Sequence, residues 1–175
     1  MLAIFVLLVR LPVSVCQVRP DEYAVKADFL LNFAKFIDWP PAKFSSEQAA
    51  LVIGVVGEDP FGQLLDSAIR NKTINKHPLV VRRLVRSTAL KDCHILFVSR
   101  SEQGHFDEIA AVLEGAAVLT VSETDQFLDH GGMINFWVES KEVKLQISVQ
   151  PAESEGLKIS SRLLHLPLVQ IKSKP

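Results

Sequence analysis

The sequence predicts an α/β fold: a mainly parallel central sheet flanked by helices, with a C-terminal antiparallel hairpin. Three observations predict it. Short apolar runs, Leu51–Val56, Leu79–Val85, His94–Val98 and Ala117–Val121, alternate with helical segments, the pattern of a sheet covered on both faces. The run LVIGVV from Leu51 is apolar throughout rather than alternating, so both of its faces are expected to be buried. From Ile134 the period falls to two: Ile134, Phe136 and Val138, then Val143, Leu145, Ile147 and Val149, alternate with polar or larger residues, and Ser140-Lys141 sits at the centre of the connection.

Taken in chain order, residues 1–16 have the shape of a secretory signal. Residues 2–9, LAIFVLLV, are apolar but too short for the ~20 residues a bilayer span needs. Cleavage after Cys16 places small residues, Ser14 and Cys16, at the two positions a signal peptidase reads. No Lys or Arg precedes the run, and Arg10 interrupts its tail. Lipid attachment at Cys16 would require a small residue before it, and Val15 is a poor fit. The expectation is a signal peptide over 1–16 and one folded domain over 17–175, exported, with no direct membrane insertion once the signal is removed.

Glu22–Pro40, EYAVKADFLLNFAKFIDWP, reads as an amphipathic helix. Tyr23, Ala27, Leu30, Phe33, Ala34 and Ile37 recur at helical spacing, while Asp21, Asp28, Asn32 and Lys35 form the opposite stripe. Asp21 can cap the start, and Pro40 disfavours a helical Trp39. Lys26 lies on the apolar face with Glu22 four residues before it, the favourable order for an ion pair. Pro60–Arg70 and Glu102–Leu113 read as helices, Ala152–Glu155 as a short turn of helix stopped by Gly156, and Ser160 or Ser161 as the cap of a last segment, Arg162–Leu166.

Composition narrows the function classes. Hydrophobic residues make up 48% and charged residues 22%, which excludes disorder. A net charge of −1 gives no global pull toward nucleic acid or an anionic membrane. The charge is uneven: Arg70–Lys91 holds seven Lys or Arg and no acid, and Ser101–Glu139 holds eight acids and no Lys or Arg, so the surface should be dipolar if these segments lie apart. The basic segment lacks interleaved aromatics, which argues against nucleic acid. With Cys16 removed, Cys93 stands alone beside an apolar run and reads as a small buried hydrophobe.

No catalytic set assembles. Gly57-Glu58-Asp59-Pro60-Phe61-Gly62 follows a strand, but it is neither a dinucleotide nor a Walker loop. An acid pocket there would need an Asp at the end of the third strand, which instead ends Val98-Ser99-Arg100. The five histidines are scattered without metal-ligand spacing, so no metal and no cofactor are expected. Ser99, Ser101, Ser122, Ser160 and Ser161 lack the context of a nucleophile. One contact candidate remains. If Ile134, Phe136 and Val138 face the core, Asn135 and Trp137 point the other way beside Lys144 and Gln146, where a Trp suits an interface anchor.

Five blocks in order, KADFLLNFAKFIDWP, LVIGVVGEDPFGQLL, CHILFVS, LTVSETDQFLDHGGMINFWVESKEVKLQIS and GLKISSRLLHL, resemble the YfiR-like exported proteins of Gram-negative bacteria. The resemblance implies a periplasmic α/β protein that is not an enzyme. It further implies that the protein binds the periplasmic portion of a membrane signalling protein, represses a diguanylate cyclase and so lowers cyclic di-GMP and biofilm formation. Homodimers and disulfide-based redox control, properties of the founding member, are further expectations from the resemblance. Here the absence of a second cysteine after residue 16 removes the basis for an internal disulfide; Gln150-Pro151 and Pro167 are further departures. The competing reading is a small-ligand receptor whose cleft lies at the carboxyl ends of the strands, where Glu58, Asp59, Phe61, Ser99 and Ser122 would converge.

Overall fold

A computed structural model describes residues 20–172. The expected signal segment, Cys16 and the side chain of Asp21 lie outside the described residues. Helix α1 (Pro20–Phe36) opens the chain and leads into β1 (Ile37–Asp38). There follow β2 (Leu51–Val56), α2 (Gln63–Ile69), β3 (Thr73–Ile74), β4 (His77–Leu84), β5 (Ile95–Val98), α3 (Phe106–Leu113), β6 (Leu119–Ser122), β7 (Ile134–Glu139) and β8 (Glu142–Ile147). The chain ends with α4 (Val149–Ser154), β9 (Lys158–Ile159), α5 (Ser161–Leu164) and β10 (Val169–Ile171).

One sheet runs β10-β8-β7-β6-β5-β2-β4-β3, and β1 pairs separately with β9. The β2, β4, β5, β6 and β7 contacts are parallel, as is β10 on β8, whereas β7–β8 and β3–β4 are antiparallel. In their own chain order the five parallel strands lie 2-1-3-4-5, so winding reverses between β2 and β5, the place where doubly wound sheets leave a crevice.

Each face of this sheet carries its own core. Ile53 and Val55 meet α1 and α2 through Leu30, Phe33 and Leu65; Val52 and Val56 point oppositely and pack with Phe106, Ile109 and Leu113 of α3. Gly54 is needed between them, because a Cβ there would lie 2.5 Å from Cys93 Sγ. Cys93 is buried and free, and burial pushes its thiol up to about 11, so it fills space rather than reacts.

Several boundaries move from their expected positions. The second helix starts at Gln63 rather than Pro60, because Asp59 Oδ1 accepts from Phe61 N at 2.8 Å and holds a turn there. Residues 100–105 form a 3₁₀ turn ahead of α3. The β7–β8 connection uses Ser140 and Lys141 at φ 52° and 70°, the two positive values of a type I′ turn. This antiparallel pair does not form the sheet's edge, because β10 adds outside β8. Nor do the basic and acidic segments lie apart: Arg86 Nε meets Glu102 at 3.0 Å, and Arg86 Nη1 meets Glu108 at 2.9 Å.

At the amino ends of the strands an aromatic stack closes the core. Phe44 lies between His77 and His94, with ring centroids 3.9 and 4.4 Å away, and Trp39 Nε1 donates to the carbonyl of His94 at 3.2 Å. The amide of Val52 donates to His94 Nδ1 at 3.1 Å. Burial, the Lys43 charge and His77 push His94 from 6.5 down to about 4. The unfolded chain therefore takes up this proton first as pH falls. Stability is full above about 6.5 and declines toward pH 4, by on the order of 3 kcal/mol from this group. Urea unfolding at several pH values between 7 and 4 should show that decline. His94→Gln should remove this part of the pH slope, whatever it does to stability at neutral pH; an unchanged slope would refute the assignment.

Candidate functional site

The carboxyl ends of β5 and β6 meet the first turns of α1 around one buried carboxylate. Strand β6 delivers Glu123, whose side chain is only 2% exposed, directly after Ser122. Lys26, 1% exposed on the apolar face of α1, pairs with both Glu22 and Glu123. Tyr23 Oη donates to Glu123 Oε1 at 2.8 Å, and Arg100 Nε, just past β5, donates to the same oxygen at 3.1 Å. Burial and then the Glu123 hydrogen bond raise the Tyr23 hydroxyl well above its usual range, so it remains a donor. Both Glu123 oxygens are engaged and shielded from solvent. The cluster joins α1 to the sheet and offers no free base for proton transfer.

The residues expected to form a ligand cleft come to this end of the sheet, where Phe61, Ser99 and Ser122 are buried. Phe61 is buried edge-on between Tyr23 and Phe97, with centroids 5.4 and 4.8 Å away. Ser122 is buried; its hydroxyl donates to the carbonyl of Val98 at 2.7 Å and contacts Thr124 Oγ1 at 3.2 Å. Ser99 is buried and its amide donates to the Val56 carbonyl at 3.1 Å. Gly57, at φ +89°, lets the loop after β2 lie against the loop after β5; a Cβ would meet Ser101 Oγ at 2.3 Å. Glu58 N donates to Ser101 Oγ at 2.9 Å, and Asp59 is paired with Arg83 at 2.9 Å.

The other four candidate residues share one face of the antiparallel pair. Asn135 stands opposite Gln146, and Trp137 opposite Lys144. Lys144 Nζ lies 5.6 Å from the Trp137 ring centroid and pairs with Glu139. Gln146 Nε2 donates to Gln170 of β10 at 3.2 Å, continuing the stripe onto the next strand. The helix on this side, α3, packs on β2, β5 and β6, and Trp137, Lys144 and Gln146 are only half-buried beyond it. Two polar atoms in this stripe, Trp137 Nε1 and Asn135 Oδ1, have no hydrogen-bond partner among the described residues. Trp137, Lys144 and Gln146 therefore present a half-buried aromatic, a cation and an amide side by side on this face.

Sequence reasoning paired Lys26 with Glu22 but missed Glu123, Tyr23 and Arg100. A signal existed: Lys26 on an apolar stripe needs an anion, and Glu123 is the acid that ends a buried strand. Among the described residues no group of three or more His, Cys, Asp or Glu could hold a metal ion, and no helix is long and apolar enough to cross a membrane.

A family model described as YfiR/HmsC-like matches residues 23–167. No curated protein matches the chain. The matched span contains Tyr23, Lys26, Arg100 and Glu123 as well as the Trp137 face.

Breaking the Glu123 cluster should be costly and repairable. Glu123→Ala leaves Lys26 buried with only Glu22 as partner, and is expected to cost about 3–5 kcal/mol in chemical denaturation. Replacing both partners, as Lys26→Met with Glu123→Leu, should recover most of that loss. A double variant no more stable than Glu123→Ala alone would show that the pair does not act as a unit.

Proposed function

Because the chain belongs to the YfiR/HmsC-like family, we propose that it is a non-enzymatic periplasmic regulator that binds the periplasmic part of a membrane signalling protein. We infer that this partner is a diguanylate cyclase, held in check so that cyclic di-GMP falls. The family match over residues 23–167 carries this reading. The structure supplies a surface suited to it: the half-buried Trp137 with Lys144, Gln146 and Asn135, on strands β7 and β8.

The physical case for that surface is twofold. A Trp on a rigid antiparallel pair offers large apolar contact area at little entropic cost. Lys144, 5.6 Å from its ring centroid, and the half-buried Gln146 add polar groups beside it that a docked chain can reach. The full engagement of the buried Glu123 carboxylate, which leaves no free base in that cluster, supports a binding role over a catalytic one.

Trp137→Ala is expected to leave the far-ultraviolet spectrum unchanged and the melting temperature within about 4 °C. It should weaken recovery of the membrane partner by about tenfold or more in affinity purification from periplasm and membrane. Deleting the gene should raise intracellular cyclic di-GMP, and the Trp137→Ala protein at equal abundance should fail to lower it. Unchanged partner recovery would remove this face from the reading, and unchanged cyclic di-GMP on deletion would remove the cyclase.

A further inference from the structure

At the amino ends of β2, β5 and β6, opposite the Glu123 cluster, lies a cavity of about 520 Å³, within the size range of small-ligand sites. Part of its wall is apolar, made by Val52 and several alanines, and part is strongly donating: Lys43, Arg82, Lys91 and His94. The one acid in the lining, Asp92, sits 3.9 Å from Arg82, so cations outnumber acids three to one.

Two of the donors are held in place. Lys43 Nζ donates to the carbonyls of Lys91 and Ala116, both at 2.7 Å, and an ammonium retains a third N–H beyond those two. Because the Val52 amide donates to His94 Nδ1, the proton of the neutral ring resides on Nε2. That atom is buried with no hydrogen-bond partner among the described residues. The Phe44 stack, 4.4 Å between centroids, prevents the imidazole from turning to seek one. A buried N–H without an acceptor is costly to the folded chain, and beside three cations the group that would relieve it is an oxygen anion.

We propose that this cavity binds a small organic anion, with its oxyanion group held by Lys43, Lys91 and the Nε2–H of His94 and its apolar part against Val52 and the neighbouring alanines. Arg82, already close to Asp92, orients the anion from the rim. A carboxylate and a phosphate monoester share this chemistry. The site stands apart from the Trp137 face, so it can be tested without the membrane partner.

The test follows the histidine side-chain ¹⁵N spectrum and the melting temperature of the exported protein during titration with benzoate, phenyl phosphate and inorganic phosphate. At least one organic anion should shift the His94 Nε2–H resonance saturably, with a dissociation constant below about 10 mM, and raise the melting temperature. The double variant Arg82→Gln/Lys91→Gln removes only charges on exposed side chains and should weaken binding about tenfold or more. Saturation by benzoate alone assigns a carboxylate ligand, and by phenyl phosphate alone a phosphate ester. Inorganic phosphate binding as tightly as phenyl phosphate would overturn the role given to the apolar wall. No saturation by any probe up to about 50 mM, or saturation indifferent to the double variant, would overturn the site.

Discussion

The placement of α1 depends on a single constraint: its apolar face carries a lysine. An unpaired ammonium in a core is prohibitively costly, so α1 can dock only where Lys26 meets a carboxylate. Glu22 supplies one from the same helix, but a partner four residues away cannot say where the helix goes. Glu123, at the end of β6, does. Once that pair forms, Tyr23 and Arg100 complete the carboxylate's hydrogen bonds, and Phe61 fills the space beside Tyr23 and Phe97. A buried ion pair of this kind contributes more to a unique arrangement than to net stability. The uniqueness here is the registration of one helix against two strand ends.

That constraint explains what was legible in the sequence and what was not. Leu51–Val56 and His94–Val98 could be read as strands because local composition reports burial on both faces. The alternation from Ile134 to Val149 set the two sides of the β7–β8 pair, and the register places Trp137 opposite Lys144 and Asn135 opposite Gln146. Glu123 escaped because its partner Lys26 is 97 residues away, a distance no periodicity spans. Phe61 and Ser122 were placed at a cleft by their position at strand ends, which says nothing of whether the side chains turn inward. Thr73–Ile74 and Val169–Ile171 are too short to show a period, and exist as strands only because β4 and β8 offer them an edge.

Charge followed the same logic. A basic stretch and an acidic stretch far apart in sequence suggest a dipolar surface, yet Arg86 reaches Glu102 and Glu108, while Arg83 is bound by Asp59 and Asp66 on the loop and helix after β2. Arg83 bridges neighbouring elements; Arg86 joins the sheet's basic side to the acidic turn before α3. At the amino ends Lys43, Lys91 and Arg82 face one acid across a cavity.

The two ends of the sheet therefore differ in kind. The carboxyl end carries a buried cluster with both oxygens of its carboxylate engaged, while the amino end holds a cavity faced by three cations and an unpartnered donor. Strand β5 joins them, with His94 before its first residue and Arg100 just beyond its last, and its four residues are all buried. A ligand shifts an equilibrium only to the extent that it binds two conformations differently. Strand β5 is pinned at both ends, by ring stacking at His94 and by the Arg100–Glu123 ion pair, which holds it in the arrangement described. An anion at the amino end would act through folding itself, favouring the native chain over the unfolded one by mass action and so raising the amount of protein able to present the Trp137 face.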